Sequence, residues 1–327
     1  MKNYLFFRTD RIGDFLVSAI LIKSIKRNDK ESHITLVASQ KNYYYISKLD
    51  FVDKVYLYPN NFFKKIILFF QLFKKKYYLI CALDGKKRSI YFSIFLNSNK
   101  KILMTTKKFF KEIFKFFFTK IFNFNESIDK LTEIKDVLNI CEMSFDKNDQ
   151  KFLKNQKINS KIKLISDYLI FHFDEKWIDG SYISKYKSIQ PEQYELDLFI
   201  NNLINKTNLN LIITTGFIKN KILSEYLINF NKINHKLYEK KIINKIIQVY
   251  VDIDFFELEY LIRNSNQIIT CHGAPTHLAS ALGKKVFDIY DKSEKNFYYK
   301  WVNHIENYNF FYRESFKELT NKILHKI

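Results

Sequence analysis

The feature that most constrains this chain is an alternation, run twice, of short apolar stretches rich in β-branched and aromatic residues with longer segments of helical period. In the first half, residues 4–7, 34–38, 54–58, 78–83 and 101–104 read as strands with helices between them. In the second half, residues 168–172, 211–215, 246–251, 267–271 and 286–290 do the same, interleaved with helices over 192–205, 255–263 and 275–282. That rhythm is the βαβ unit of a parallel sheet, in which each helix crosses a sheet face before the next strand is laid down. Between the two series, residues 146–163 are polar, rich in Lys and Asn and without periodicity, which predicts a linker. The expectation is therefore two α/β domains over residues 1–150 and 151–305, each a Rossmann-like, doubly wound parallel sheet. Residues 306–327 add a closing helix, announced by Ser315 and Glu318 at capping-box spacing.

At 327 residues and 47% hydrophobic content the chain is long enough for two cores and too apolar for disorder. Its 54 Lys and Arg against 34 Asp and Glu give a formal charge of +20, a field that attracts phosphates on nucleic acid, lipid or nucleotide. An AT-rich genome produces the same excess of Lys, Asn, Ile, Phe and Tyr, so charge alone selects no partner. No known nucleic-acid module is visible, and no nucleic acid is expected as a partner. The longest apolar run, 66–73, is interrupted by Gln71 and bounded by lysines, far short of the roughly 20 residues of a membrane-spanning helix. The apolar stretch at 4–7 runs straight into Arg8, Asp10 and Arg11, so no signal peptide is expected and the chain is placed in the cytoplasm. Cys81, Cys141 and Cys271 are widely spaced, which predicts a reduced, metal-free interior.

The first strand-to-helix turn, residues 8–14, carries Arg11, Gly13 and Asp14, with the helix expected to begin near Phe15. In an open parallel sheet this turn lies at the carboxyl edge, where ligands bind. With one glycine it is no dinucleotide fingerprint, and Asp14 by itself reads as a complement to the helix dipole. Residues 84–89 make a cationic turn on the same edge, with Asp84, Lys86, Lys87 and Arg88, suited to an acidic or phosphorylated acceptor or simply solvated. The loop at 172–177 offers Lys176 for a phosphate, and Thr215 and Gly216 end the next strand with residues small enough for close approach of a nucleotide, or for a plain turn.

The sharpest local signal spans 271–283. Pro275 suits the first turn of a helix and Gly283 the position just past its end. The amides of residues 273–277, including Gly273, Ala274 and Thr276, together with His277 and the helix dipole, make a ready site for an anion such as a diphosphate, with Leu278 following in the same turn, although a lone histidine such as His277 also suits a packed core. Asp252 and Asp254 resemble an Asp-x-Asp metal clamp, but Asp254 stands three residues before Glu257, a capping box that needs no metal. Segments 62–78 and 107–124 interleave lysine with phenylalanine as an interfacial, membrane-lying helix does, although half of that apolar surface also suits a core.

Taken in order, four motifs make the chain resemble the ADP-heptose:lipopolysaccharide heptosyltransferases, glycosyltransferase family nine. They are Arg-x-Asp-Arg-Ile-Gly-Asp at 8–14, Asp-Gly-x-x-Arg-Ser at 84–89, the Lys-Trp pair at 176–177 and Gly-Ala-Pro-Thr-His-Leu-Ala-Ser-Ala-Leu-Gly at 273–283. The resemblance implies a GT-B fold, two such domains facing a central cleft, with the last helix returning to brace the first domain. It implies an inverting, metal-independent transferase moving a sugar from a nucleotide diphosphate donor, ADP-heptose among the candidates, to a lipopolysaccharide-core or other lipid-linked glycan, without a cofactor; the lysine-phenylalanine segments add an expected peripheral contact with an anionic membrane. It assigns Asp14 as catalytic base and Lys176, Thr215, Gly216, Gly273, Thr276 and His277 to the donor. Two departures touch the donor side: Cys271-His272-Gly273 replaces the family's Asp-Thr-Gly, and the 172–177 loop carries Phe173, Asp174 and Glu175 where small residues are usual. The rival readings are a non-catalytic protein that keeps the fold and binds nucleotide sugar, nucleic acid or membrane, and a sugar-nucleotide epimerase of similar build.

Overall fold

A computed structural model describes residues 1–105, 108–124, 129–156, 158, 160–178, 184–216, 221–242 and 244–327. The chain forms two compact units, one comprising Met1–Phe152 with Tyr299–His304, the other Leu153–Tyr298 with Ile305–Ile327.

The first unit runs β1 (Asn3–Arg8), α1 (Ile12–Asn28), β2 (His33–Ala38), α2 (Tyr43–Ile46), β3 (Lys54–Leu57), α3 (Phe62–Phe73), β4 (Tyr77–Ala82), α4 (Lys87–Phe95), β5 (Ser98–Thr105), α5 (Lys108–Phe114), β6 (Lys120–Asn123) and α6 (Lys130–Ile140). Its strands are all parallel in the order β3-β2-β1-β4-β5-β6, the doubly wound order that reverses between β1 and β4. Strand β1 is apolar from Tyr4 to Phe7 because both faces of a parallel sheet are covered. Leu5 and Phe7 pack with Leu68 and Leu72 of α3 on one face. Right-handed crossovers put α3, α4 and α5 together on that face; Phe69 meets Phe92 edge-on at 5.6 Å and Tyr91 meets Phe114 at 6.4 Å, while α1 packs with α6.

The second unit runs β7 (Tyr168–Phe173), α7 (Gln193–Thr207), β8 (Asn210–Thr215), α8 (Lys221–Tyr226), β9 (Asn231–Lys232), β10 (Leu237–Ile242), β11 (Lys245–Tyr250), α9 (Phe255–Asn264), β12 (Gln267–Cys271), α10 (Ala274–Ala281), β13 (Lys285–Tyr290), α11 (Lys295–Val302, grouped with the first unit from Tyr299 on), β14 (Tyr308–Tyr312) and α12 (Phe316–Lys326). Its order, β14-β13-β12-β7-β8-β11-β10-β9, repeats the doubly wound pattern with the reversal between β7 and β12. To this it adds β9 and β10, which are antiparallel to their neighbours. Two Rossmann-like units of this kind make the GT-B fold.

The local signals for helix ends act as their chemistry requires. Asp254 and Glu257 cap each other's amides at 2.8 Å, and Ser315 accepts from the Glu318 amide. Gly283 follows α10 with φ 72°, a conformation that other residues adopt only under strain. Two expectations change. Helix α1 begins at Ile12 rather than near Phe15, so Gly13 and Asp14 lie within its first turn. Strands β6, β9, β10 and β14 were not expected; the first three are short or lysine-rich elements at or next to a sheet edge, whose pattern carries no buried period. The closing helix is part of the second unit. Phe316, Leu319 and Ile323 lie in the core of the second, against Trp177 and Phe199. The late segment that groups with the first unit is Tyr299–His304, where Lys300 donates to the Phe124 carbonyl and the Trp301 ring lies 5.8 Å from Phe124.

Leu319→Ala should therefore destabilise the second unit by about 2–5 kcal/mol in urea unfolding, as for other fully buried leucines. A change below about 0.5 kcal/mol, the scale of a surface substitution, would place α12 outside this core.

Candidate functional site

The motif turns gather at the two strand-order reversals, where the helices after adjacent strands leave to opposite faces and open a crevice at the carboxyl edge. In the first unit these are the turns after β1 and β4. In the second they are the turns after β7 and β12, with the end of β8 beside them.

In the first unit, Arg8 ends β1 almost wholly buried. Its guanidinium donates to Ser18 Oγ, to Asp10 Oδ2 at 2.7 Å, to the Leu83 carbonyl and to the Asp14 carbonyl. A buried guanidinium needs such a set, because any donor without an acceptor there is expensive. Asp14 sits half-buried in the first turn of α1, its carbonyl held by Arg8 and by Ser18 at 3.2 Å, so the carboxyl is presented from a fixed backbone.

Asp84, half-buried, and Arg88, exposed, both hydrogen-bond back onto the same frame. Asp84 Oδ2 accepts from the Thr9 amide and hydroxyl and from Ser89 Oγ, while Oδ1 accepts from the Lys86 amide. Arg88 donates to Thr9 Oγ1 at 2.9 Å and to the Thr9 carbonyl at 2.7 Å, with its guanidinium 4.9 Å over the Tyr58 ring. The Asp-Gly-x-x-Arg-Ser turn thus ties β4 to the β1 turn, and Arg11, Lys86 and Lys87 are the cations on its exposed side.

Two groups at this site escaped the sequence reading. Asp10 is pushed up to about 7, burial being the main cause, with Arg8 pulling the other way and the Asp14 and Asp84 carboxylates adding to the rise. Burial lowers Lys130 to about 8, although it pairs with Glu133 at 2.6 Å and faces the Phe124 and Trp301 rings. Asp10 lies inside the first motif, where its proximity to Asp84 is invisible locally. Lys130 arrives on α6, far along the chain, and nothing in its neighbourhood marks it.

In the second unit, β7 runs into the loop His172–Trp177, fixed by the Trp177 indole donating to the His172 carbonyl at 2.9 Å and by Thr214 Oγ1 lying 2.8 Å from His172 Nδ1. Lys176 Nζ lies 2.9 Å from Asp174 Oδ2. Burial alone would raise the Asp174 carboxyl, but Lys176 and His172 outweigh it and hold it below the usual carboxylate range. Burial opposes the charge on Lys176 too, and Asp174 more than restores it, leaving the ammonium raised. The same ammonium lies over Gly273, where an added Cβ would approach Nζ to 2.6 Å.

The turn into α10 corrects the expected amide cradle. The Gly273 amide donates to Thr276 Oγ1, and the Thr276 and His277 amides turn back to the Gly273 carbonyl. Pro275 has no N–H, so the Ala274 amide and the dipole are what the helix end offers besides side chains. Thr276 is buried and donates to Asp288 Oδ1; Leu278 is buried beneath the helix; neither side chain faces outward. Asp288 also takes Tyr308 O–H and His272 Nδ1 on Oδ2, each at 2.7 Å, and the His272 ring lies 4.1 Å from that of Tyr298. Gly216 is required for a different reason than expected: a Cβ there would collide with the Glu175 carboxylate and touch Asp174, so the room is taken by the β7 loop. His277 is buried in the first turn of α10, its ring 5.3 Å from that of His272.

No protein-family model matches the chain, and no curated protein matches it in sequence. Solved structures share its fold. The glycosyl transferase family 9 protein of Veillonella parvula is 13% identical with a TM-score of 0.64, over 99% of this chain and 91% of its own. The E. coli heptosyltransferase WaaC with ADP-2-deoxy-2-fluoro heptose is 10% identical with a TM-score of 0.66, over 99% and 100%. The UDP-GlcNAc 2-epimerase of Methanocaldococcus jannaschii is 14% identical with a TM-score of 0.54, over 100% and 92%.

Because the fold raises Asp10 above its ordinary 3.8, the folded state holds that proton more tightly than the unfolded chain does. The stabilisation is complete below about pH 4 and is lost as pH rises through about 7. Asp10→Asn should therefore flatten the fall in unfolding free energy between pH 5 and pH 8 by on the order of a few kcal/mol. Parallel pH profiles for the two proteins would refute the assignment.

Proposed function

We propose that this chain is an inverting, metal-independent glycosyltransferase that moves a heptose or similar sugar from a nucleoside diphosphate donor to a lipopolysaccharide-core or other lipid-linked cell-surface glycan. In this reading it works in the cytoplasm, at the inner face of the membrane. The observation that carries the proposal is the placement of chemistry at the two strand-order reversals. One offers a carboxylate, Asp14, on a backbone clamped by a buried arginine; the other offers an ammonium, Lys176, held over Gly273 at the start of α10. Shared fold with a family 9 glycosyl transferase and a heptosyltransferase supports the reaction class.

In this mechanism Asp14 accepts the proton of the acceptor hydroxyl as its oxygen attacks the anomeric carbon, and the bond to the nucleoside diphosphate breaks on the opposite face. The leaving diphosphate gains negative charge as that bond lengthens. Lys176, His277 and the Ala274 amide meet it. Lys176 exchanges part of its interaction with Asp174 for the phosphate, so the ion pair holds the half-buried ammonium in place until a donor arrives. Arg11, Lys86 and Lys87 receive phosphate or carboxylate groups on the acceptor, with Asp84 and Arg88 holding the turn that carries them.

Asp14→Asn should abolish transfer, a loss of at least about a thousandfold, while nucleotide affinity in calorimetry stays within about twofold. Retained transfer would remove Asp14 as the base. Lys176→Ala and His277→Ala should each weaken nucleoside diphosphate binding by about tenfold, and unchanged affinity would remove the α10 cradle. Incubation of nucleotide sugars without acceptor distinguishes the epimerase reading: a sugar whose configuration changes under those conditions, followed by NMR, would replace the transferase assignment.

A further inference from the structure

We infer that the outer face of the α3–α4–α5 layer of the first unit is a docking surface for an anionic lipid bilayer. The inference concerns a surface away from the motif turns and needs nothing from the transfer chemistry, although a transferase acting on lipid-linked glycans would use it.

Helix α3 is apolar on both sides. Leu68 and Leu72 face the sheet, and Phe69 packs beside them on Phe92. At 100° per residue, Phe62, Ile66, Phe70 and Phe73 fall with Phe63 and Ile67 on one outward arc of about 140°, and all are exposed, Phe63 to 73%. A helix that covers a sheet in a water-soluble protein carries polar residues there, and outward apolar surface of this extent marks a contact yet to be made. The arc continues across the layer. Phe95 of α4 is exposed, and beyond it α5 and the residues after it expose Phe109, Ile113 and Phe116, the last to 86%. Contacts between Phe69 and Phe92 and between Tyr91 and Phe114 join the three helices into one surface. The lysine-phenylalanine alternation at 62–78 and 107–124 is therefore only partly core. Lys107 lies outside the described residues.

Charge selects the occupant. Helices α3 and α4 contain no acidic residue, and α5 has one, Glu112. Lys64 and Lys65 lie in the first turn of α3 and Lys74, Lys75 and Lys76 follow its end, so the phenylalanines are bracketed by ammonium groups. A second copy of this chain is a poor occupant, because a two-fold contact through this face would set lysines against lysines. Nucleic acid would use the charge and leave the aromatic arc in water. A bilayer uses both: aromatic and aliphatic side chains enter the boundary between headgroups and acyl chains, and lysines remain at the phosphates. No helix among the described residues is long and apolar enough to cross a membrane, so the contact is one of lying on the surface.

The test is flotation of the full chain with vesicles of phosphatidylcholine alone or mixed with phosphatidylglycerol, without nucleotide or glycan. Binding is expected to the mixed vesicles and to weaken as salt rises. The triple variant Phe63→Ser, Ile67→Ser, Phe70→Ser should reduce it at least about tenfold while the melting temperature and nucleotide affinity stay within error. A second variant, Lys64→Gln with Lys74→Gln and Lys75→Gln, should weaken binding to the mixed vesicles and reduce its salt dependence. Absence of binding to mixed vesicles, or equal binding by the serine variant, would overturn the inference. So would a concentration-dependent dimer that the serine variant abolishes, or duplex DNA binding as tight as vesicle binding and indifferent to it. Failure of the transferase reading leaves all of these outcomes unchanged.

Discussion

A parallel strand must be reached by a connection that crosses one face of the sheet, and right-handed crossing allows a single face for each direction of travel. Everything else in this protein follows from obeying that constraint twice. In each unit the strand order turns back beside the first strand, between β1 and β4 and between β7 and β12, and the helices after those strands separate. The crevice so formed needs no residue of its own; the residues that line it are whatever follows those strands. The four motif turns occupy those positions. The same handedness sends α3, α4 and α5 to one face, which is why their outward phenylalanines form one surface.

The two reversals are built with opposite electrostatics and the same economy of structure. In the first, a cation is the buried frame: Arg8 joins the end of β1 to Ser18 and to the Asp14 carbonyl, and around it stand Asp10, Asp14 and Asp84. Crowding of carboxylates with burial is what keeps a proton on Asp10 toward neutral pH, so the site carries less negative charge than its sequence suggests. In the second, an anion is the frame: Asp174 is buried against Lys176 and His172, and Asp288 gathers His272, Thr276 and Tyr308. Buried carboxylates there pin the cationic and imidazole groups near the start of α10. A charged group held by a buried counter-ion keeps one geometry, and that fixed geometry is what a site needs before its ligand arrives.

Much of this was readable along the chain. Strand positions 4–7, 34–38, 168–172 and 267–271 are mainly apolar on both faces, and their shortness and β-branched or aromatic content select a buried strand over a helix. The capping pairs Asp254 with Glu257 and Ser315 with Glu318, and Gly283 past α10, follow from hydrogen bonds and dihedrals spanning a few residues. The motif turns could be located because a strand-to-helix turn in such a sheet has one possible edge. Direction of a side chain was less legible. Asp84, Arg88 and Thr276 sit in the right turns but spend their hydrogen bonds on Thr9 and Asp288, partners 75, 79 and 12 residues away.

The sequence by itself determined the units of the fold, their repetition and the turns that carry chemistry, because periodicity, capping and turn dihedrals act over one or two helical turns. Tertiary structure decided how the helices and strands pack within each unit. It placed Phe316 and Leu319 in the second core, turned Leu278 and Thr276 inward, brought Lys130 to face Trp301, and left Phe63, Ile67 and Phe70 in water. Burial is set by residues far apart in the chain that share a sheet face, and no local pattern records which face of an all-round apolar helix will find a partner.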